Sequence, residues 1–383
     1  MLQDMKTIYL DYNATTPIAP SVQETMLPFL REHYGNPSSH HSLGRAGHEA
    51  VEDARVEVAA LLSVDPQDIV FTSGGTESNN LALKGILLRK AVDGRGHLII
   101  SALEHPAITE PARYLRNLGC EVTVVGCGPD GVVHPEAVRE ALRPDTVLVS
   151  IMHANNEIGT IQPIREIASI CHEQNVLMHT DAAQSIGKIH TFADELEVDL
   201  LTIAGHKIYG PKGVGALYVR RGTPIEPLLH GASHEQGLRA GTENVPYLVA
   251  LGRACTLASK AVEETSQNIS DLRDRLVAQL QHGIGDGLSV NGAAAARLPN
   301  TASVNFPDVS AHDMLAYVPE LCASTGAACH SGATSISPTL AAMGLTPEVA
   351  KGTIRLSLGW YTSQEDIDLA ASRLLFAWDA CKS

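Results

Sequence analysis

The residues with chemical capacity stand at the ends of apolar runs. In LLTIAGHKIYGPKG, Lys207 follows a strand-like run and a Gly-His pair, and it is one of only nine lysines in 383 residues. A cationic amine at the end of a buried strand is costly, so its pKa should fall. A neutral lysine amine can form a Schiff base with an aldehyde. From position alone, a lysine that snorkels to the surface reads the same way. In VLMHTDAAQSIGK, Asp181 ends another apolar run and Gln184 lies three residues on. A buried carboxylate needs a cation or several donors. The pyridinium nitrogen of pyridoxal phosphate is such a cation, and an Asp partner keeps it protonated as an electron sink. A helix N-cap is the competing role.

In DIVFTSGGTESNNLALKG, a strand runs into Ser-Gly-Gly-Thr and then a helix. Free N–H groups at such a helix start bind phosphate, with Gly75 allowing close approach and Thr76 adding a hydroxyl. Most glycine turns before helices are only connections. Arg355 interrupts the apolar run TIRLSLG, and a buried cation demands an anion. A substrate α-carboxylate and a structural salt bridge both satisfy it. Cys329 lies among small residues in ASTGAACHSGATS, beside His330, and reads as an accessible thiol on a mobile loop. Cys171, in a helical segment, reads as an inert core thiol. Together these residues compose a pyridoxal-phosphate site: aldehyde anchor, ring-nitrogen partner, phosphate cradle, carboxylate clamp and nucleophile.

The elements that must position them alternate. Ile69–Thr72, His97–Ser101, Glu121–Val125, Val147–Met152, Val176–Thr180, Asp199–Ile203 and Gly215–Val219 read as strands, with helical stretches such as Pro163–Gln174 between them. That pattern predicts an α/β fold, its large domain a mostly parallel sheet flanked by helices. In such sheets ligands bind beyond the carboxyl ends of the strands. Val245 to Leu280 reads as one long helical stretch, followed by strands at Leu288–Val290 and Thr301–Phe306. A smaller α+β domain built from both chain termini is therefore expected. Residues 16–255 form the large domain, and residues 1–15 with 256–383 form the small one. The last helix is expected from Thr362, with Thr-Ser-Gln-Glu as a capping box closed by Glu365.

Composition narrows the function classes. The chain is 44% hydrophobic and 19% charged, as in soluble globular proteins. Its net charge of −15 disfavours non-specific nucleic-acid binding and docking on anionic membranes. The N-terminus lacks a signal-peptide pattern, and no apolar run approaches the roughly 20 residues of a membrane span. Seven scattered cysteines, without Cys-x-x-Cys, predict free thiols in a reducing cytoplasm. The 17 histidines are dispersed and include no His-Glu-x-x-His, so no metal site is expected.

The order of motifs resembles one family throughout. YLDYNATTP, GNPSS, FTSGGTESNN, EH, NNEIG, HTDAAQ, GHKIYGPKG, RAGTEN and RLSLG run nearly end to end. They resemble the cysteine desulfurases and the related selenocysteine lyases, which are fold-type-I pyridoxal-phosphate enzymes. The resemblance implies that Lys207 anchors the cofactor and shuttles protons. It implies that His105 stacks on the pyridine ring and helps move protons. Asp181 would pair with the ring nitrogen and Gln184 with the ring phenolate oxygen. Gly75, Thr76 and His206 would hold the phosphate, and Thr242 of RAGTEN would reach it from the partner subunit of an obligate homodimer. Asn156 and Arg355 would bind the substrate carboxylate, and Cys329 would take the sulfur as a persulfide.

Three departures qualify the match. Ala204 stands where the family usually has serine, which removes one phosphate hydroxyl. The catalytic segment reads Ala-Ala-Cys-His-Ser rather than Ser-Ala-Cys-Thr-Ser, and so looks more like the animal selenocysteine lyases. The chain also stops soon after its last helix, where bacterial housekeeping desulfurases carry a longer tail for their scaffold protein. The expected reaction converts L-cysteine to L-alanine and passes sulfur to Cys329, then to a protein acceptor. Selenocysteine lyase or another carbon–sulfur lyase is the alternative. An aminotransferase of the same fold would not need Cys329, and a non-enzymatic scaffold would not need both Lys207 and Asp181.

Overall fold

A computed structural model describes residues 6–91, 96–330 and 333–382, with only the backbone of 90, 91, 327–330 and 333–335. After a short β1 (Ile8–Tyr9) come β2 (Ile69–Thr72), β3 (His97–Ser101), β4 (Glu121–Val125), β5 (Thr146–Ser150), β6 (Leu177–Asp181), β7 (Leu200–Ala204) and β8 (Gly215–Val219). These last seven form one sheet in the order β2-β8-β7-β6-β5-β3-β4. The β7–β6–β5–β3–β4 pairings are parallel, and only β8 runs against its neighbours. The predicted strands are all present: β2, β3, β4 and β8 have the expected ends, and those of β5, β6 and β7 are shifted by one or two residues.

Why these strands read as unbroken apolar runs is visible in their packing. Phe71, Ile99, Val149, Leu201 and Tyr218 enter one core, with Val51 and Val58 of the Ser42–Leu62 helix and Leu248 and Leu251 of the Val245–Glu264 helix. The adjacent residues Val70, Leu98, Leu148, Leu200 and Leu217 enter another, with Leu83 and Leu87 of the Gly75–Ala91 helix and Leu115 of the Pro106–Asn117 helix. Successive side chains point to opposite faces, so strands covered on both faces are apolar at most positions, whereas the edge strand β4 is partly exposed and carries Glu121 and Thr123.

A buried polar group also spans the sheet interior. His179 is fully buried on β6, with Nδ1 2.8 Å from Ser150 Oγ on β5 and Nε2 3.2 Å from Thr202 Oγ1 on β7. Burial pushes its pKa down to about 3. The unfolded chain takes up a proton near pH 6.5 and the folded chain does not. Stability is therefore lost as pH falls through the window between the two values. At pH 5 this single group should cost about 2 kcal/mol relative to pH 7. Urea unfolding of wild type and His179→Gln at both pH values tests it. The variant should lose markedly less stability on acidification, and equal losses would discount the role.

The second core lies in a smaller unit. β9 (Ser289–Val290), β10 (Thr301–Asn305), β12 (Ser324–Thr325) and β15 (Thr353–Ser357) form a sheet in the order β12-β15-β10-β9. β1 pairs with β11 (Leu321–Cys322), and Asp11 bridges to Ser357, so the N-terminal segment is woven into this unit. Ile8, Leu10, Leu276, Leu280, Leu356 and Leu374 share its core.

Three local expectations are corrected. The stretch from Val245 is two helices, Val245–Glu264 and Ser266–Ile284, parted at Thr265. Thr265 Oγ1 donates to Ala261 O at 2.7 Å, a back-bond that competes with helix continuation. The last helix, Gln364–Lys382, is capped by Ser363 and Asp366, which exchange bonds of 2.9 and 3.1 Å. Thr362 Oγ1 instead accepts from Gly359 N, which removes it as the cap. The segment around Cys329, expected as a loop, pairs antiparallel as β13 (Ala327–His330) with β14 (Ala333–Ile336). Small side chains do not prevent a ladder made by backbone groups.

Candidate active site

The parallel strands deliver their carboxyl ends to one edge, and the chain turns there into helices. Gly75 opens the helix after β2, and His105 caps the helix after β3. Asn156 follows β5, Asp181 ends β6, and Lys207 closes the short 3-10 turn after β7. These meet in a cavity of about 470 Å³ that Gly75, Thr76, His105, Asn156, Asp181, Gln184, His206, Lys207 and Arg355 all line. Arg355 arrives from β15 of the smaller sheet, so the cavity lies between the two cores.

Lys207 Nζ donates to the backbone oxygens of Asn13 at 2.6 Å and Ala14 at 2.8 Å. Burial, then the nearby Arg355 cation, push its pKa down to about 8 against the pull of Asp181 and Asp11. Near neutral pH a fraction of the amine is therefore unprotonated and nucleophilic. The turn that carries it is pinned by Thr16, whose N and Oγ1 both donate to His206 O at 3.0 Å. His206 Nδ1 lies 3.2 Å from Thr15 Oγ1, and burial with the Lys207 charge pushes its pKa to about 4.

Asp181 is buried at the cavity wall. Its Oδ1 accepts from Ala183 N at 3.0 Å and its Oδ2 from Asn79 Nδ2 at 2.7 Å. His105 Nδ1 accepts from Ala107 N at 3.0 Å, so in the neutral ring Nε2 carries the proton. Burial lowers the His105 pKa, and the Lys207 charge adds to this while Asp181 opposes it. The ring is thus neutral at pH 7 and can donate from Nε2.

Arg355 pairs with Asp11 through Nη2 at 2.6 Å, and Ser324 Oγ bridges the two. The structural salt bridge is thus present, and Nη1 also donates to Asn156 O at 3.2 Å. Among the described residues Arg355 Nε is buried without a partner, which leaves one donor of the guanidinium for a ligand.

The residues fit pyridoxal phosphate on observations of their own. A Cβ on Gly75 would approach Ala204 Cβ to 3.2 Å, a tight contact that would require a shift of a few tenths of an ångström, so the helix start packs closely against β7. The first helical amides there lack intrahelical acceptors and suit a phosphate. Buried Asn79 Oδ1, on a residue lining the same cavity, has no partner among the described residues. A carboxylate, a nucleophilic amine and an amide face one space of the size that small-molecule sites occupy.

Of the predicted residues, Thr242 is not brought to the cavity within this chain, and the Cys329 side chain lies outside the described residues. Thr242 is exposed in its loop and does not line the cavity. That loop is nonetheless anchored beside the site, because Arg239 donates to Glu77 Oε1 at 2.9 Å on the Gly75–Ala91 helix. The backbone of Cys329 pairs with Thr334, and its side chain lies outside the described residues.

Sequence reasoning passed over Asn13, Asn79 and Glu104. Asn13 receives Lys207 and Gln184 on its backbone oxygen and donates to Thr301 Oγ1 at 2.8 Å. Glu104 is buried, accepting from Ser101 Oγ at 2.6 Å and Met152 N at 2.9 Å. Burial pushes its pKa up to about 8, which keeps it neutral beside Asp181 at pH 7. All three sit inside quoted motifs, YLDYNATTP, FTSGGTESNN and EH, and that was their only signal.

Comparison with known proteins agrees with this geometry. The class-V aminotransferase family model matches residues 8–369. The chain is 45% identical over 365 residues to the cysteine desulfurase IscS of Dictyoglomus turgidum, covering 95% of this chain and 92% of that protein. It is 44% identical to the cysteine desulfurase IscS of Methanosarcina thermophila, covering 95% and 90%. The solved structure of a NifS-like protein superposes with a TM-score of 0.91 at 38% identity, covering 98% of this chain and 100% of that one. Among the described residues, no helix is long and apolar enough to cross a membrane.

Proposed function

The chain belongs to the class-V aminotransferase family, in its cysteine desulfurase branch, and from that premise we propose that it converts L-cysteine to L-alanine and transfers the sulfur to Cys329. The observation that carries the reading is the convergence of the Lys207 amine and the Asp181 carboxylate on one cavity, with Gly75 at a helix start. Pyridoxal 5'-phosphate bound there supplies an electron sink for the pair left on the substrate Cα.

Each residue then has a task. Lys207, with a pKa near neutrality, removes the α-proton and returns one to the product. Asp181 holds a proton on the ring nitrogen, and Asn79 and the Ala183 amide fix the carboxylate for that. Gln184 donates to the ring phenolate oxygen. Gly75, Thr76 and His206 hold the phosphate, and His105 covers the ring and donates from Nε2. Asn156 and Arg355 bind the substrate carboxylate. The Cys329 thiolate attacks the substrate sulfur: an S–S bond forms, the Cβ–S bond breaks, and its electron pair stays on carbon, which is then protonated. The sum is cysteine plus enzyme thiol giving alanine plus enzyme persulfide.

The partner reading follows from Thr242. It lies on an exposed loop tied to the Gly75 helix, so a second copy can supply it across a homodimer interface. Thr242→Ala should weaken cofactor retention by about fivefold, the worth of one hydrogen bond, without changing the fold. A fully active monomer in sedimentation would count against the composite site. We place the protein in the cytoplasm, where free thiols persist and a protein acceptor can take the persulfide sulfur. Selenocysteine is a second candidate substrate, motivated by the Cys329–His330 pair.

The test is product analysis with both amino acids. L-cysteine should yield alanine in step with sulfide when a thiol reductant is present. Pyruvate and ammonia in place of alanine would make the protein a β-eliminating lyase, and transfer of the amino group to a keto acid would make it an aminotransferase.

A further inference from the structure

Behind the cavity lies a second lysine that the reaction does not use. Lys188 follows Gly187, whose φ of +71° and approach to the Val245–Glu264 helix exclude a larger residue, since a Cβ would meet Ala258 Cβ at 2.8 Å. Ser266 Oγ donates to Lys188 O at 2.9 Å and fixes the backbone. Lys188 is half-buried, with its amine turned to two interior acceptors, and among the described residues the charges that act on that amine are the Lys207 and Arg355 cations. Its Nζ donates to Gln184 Oε1 at 2.8 Å and to Asn13 Oδ1 at 3.1 Å. Two acceptors match the two N–H groups of a neutral amine. Burial, with the Lys207 and Arg355 cations, drives the group toward that form.

The other end of Gln184 is equally constrained. The Asn13 backbone oxygen can only accept, so it takes Gln184 Nε2, at 3.0 Å. With Oε1 held by Lys188, both ends of the amide are assigned, and the remaining Nε2–H is the hydrogen left for the cavity that Gln184 lines. Resting on the cofactor reading above, we propose that Lys188 is a positioning residue for Gln184, clamping its amide so that an N–H donor rather than a carbonyl serves the cofactor's ring oxygen. Without Lys188, Gln184 keeps one tether and its buried Oε1 loses its donor, so the amide can swing away.

The experiment is a double-mutant cycle on the pyridoxal-phosphate-loaded enzyme, with Lys188→Met, Gln184→Ala and the pair. The readouts are the visible absorption maximum of the bound cofactor and its rate of loss to a phosphate-binding scavenger protein. Lys188→Met should shift the maximum in the same direction as Gln184→Ala and speed cofactor loss about fivefold. In the Gln184→Ala background it should add almost nothing. Additive effects, or an unchanged spectrum in Lys188→Met, would overturn the proposal, because Lys188 would then act through Asn13 or not at all. Should Lys188→Met fail to fold, Lys188→Gln, a shorter donor, carries the same cycle with the same two outcomes. Wild type that stays colourless with the cofactor would instead overturn the cofactor reading, and this proposal with it.

Discussion

Lys207→Ala should reduce alanine formation from cysteine by about a thousandfold or more, within the roughly hundred- to ten-thousandfold that a proton-transferring group contributes. The cofactor should still bind, because the Asp181 wall and the Gly75 helix start are intact, but it should wash out on gel filtration. The loss follows from the site. No other lysine lines the cavity among the described residues, and Lys188 is held away by Gln184 and Asn13. Lys207→Arg should not rescue, since a guanidinium stays charged near neutral pH and cannot take the α-proton. A Lys207→Ala protein within tenfold of wild type would remove the lysine from the mechanism.

The second large effect belongs to Cys329. Cys329→Ala should abolish alanine formation from cysteine while leaving cofactor binding and the substrate-induced spectral change intact. The thiolate is the attacking species, so the wild type should carry one extra sulfur on Cys329 after cysteine is added, detectable by mass. Two of the described cysteines, Cys171 and Cys255, are poor competitors. Burial pushes the Cys171 thiol up to about 12, and Cys255 is raised further still. Activity on selenocysteine should survive the substitution better, because selenolate can leave without a thiol to receive it. Full activity of Cys329→Ala on cysteine would point to direct elimination.

What was legible in the chain follows from where its chemistry sits. The sheet is covered on both faces, so its strands announce themselves as apolar runs, and Asp181 and Lys207 stand out where those runs stop. The glycine turn before the Gly75 helix is readable for the same reason. Asn13 is not, because its partners Gln184, Lys207, Thr301 and Ser357 lie 171 to 344 residues away and no periodicity connects them. Nor is Lys188, because its contacts to Gln184 and Asn13 depend on how the chain packs rather than on any local pattern. The role of Glu104 depends on enclosure by β3 and the chain after β5, a tertiary property. The break at Thr265 and the Ser363 cap turn on which of two neighbouring hydroxyls finds a local acceptor or donor. Local sequence offers both choices, and the neighbouring contacts select between them.

The central claim is that the Lys207 amine anchors and serves pyridoxal phosphate in the cavity above the sheet. Borohydride reduction of the cofactor-loaded protein, followed by proteolysis and mass mapping, tests it in one step. The cofactor's mass should appear on the peptide that carries Lys207 and on no other. Attachment at Lys188, Lys212 or any other lysine, or no attachment at all, would contradict the account.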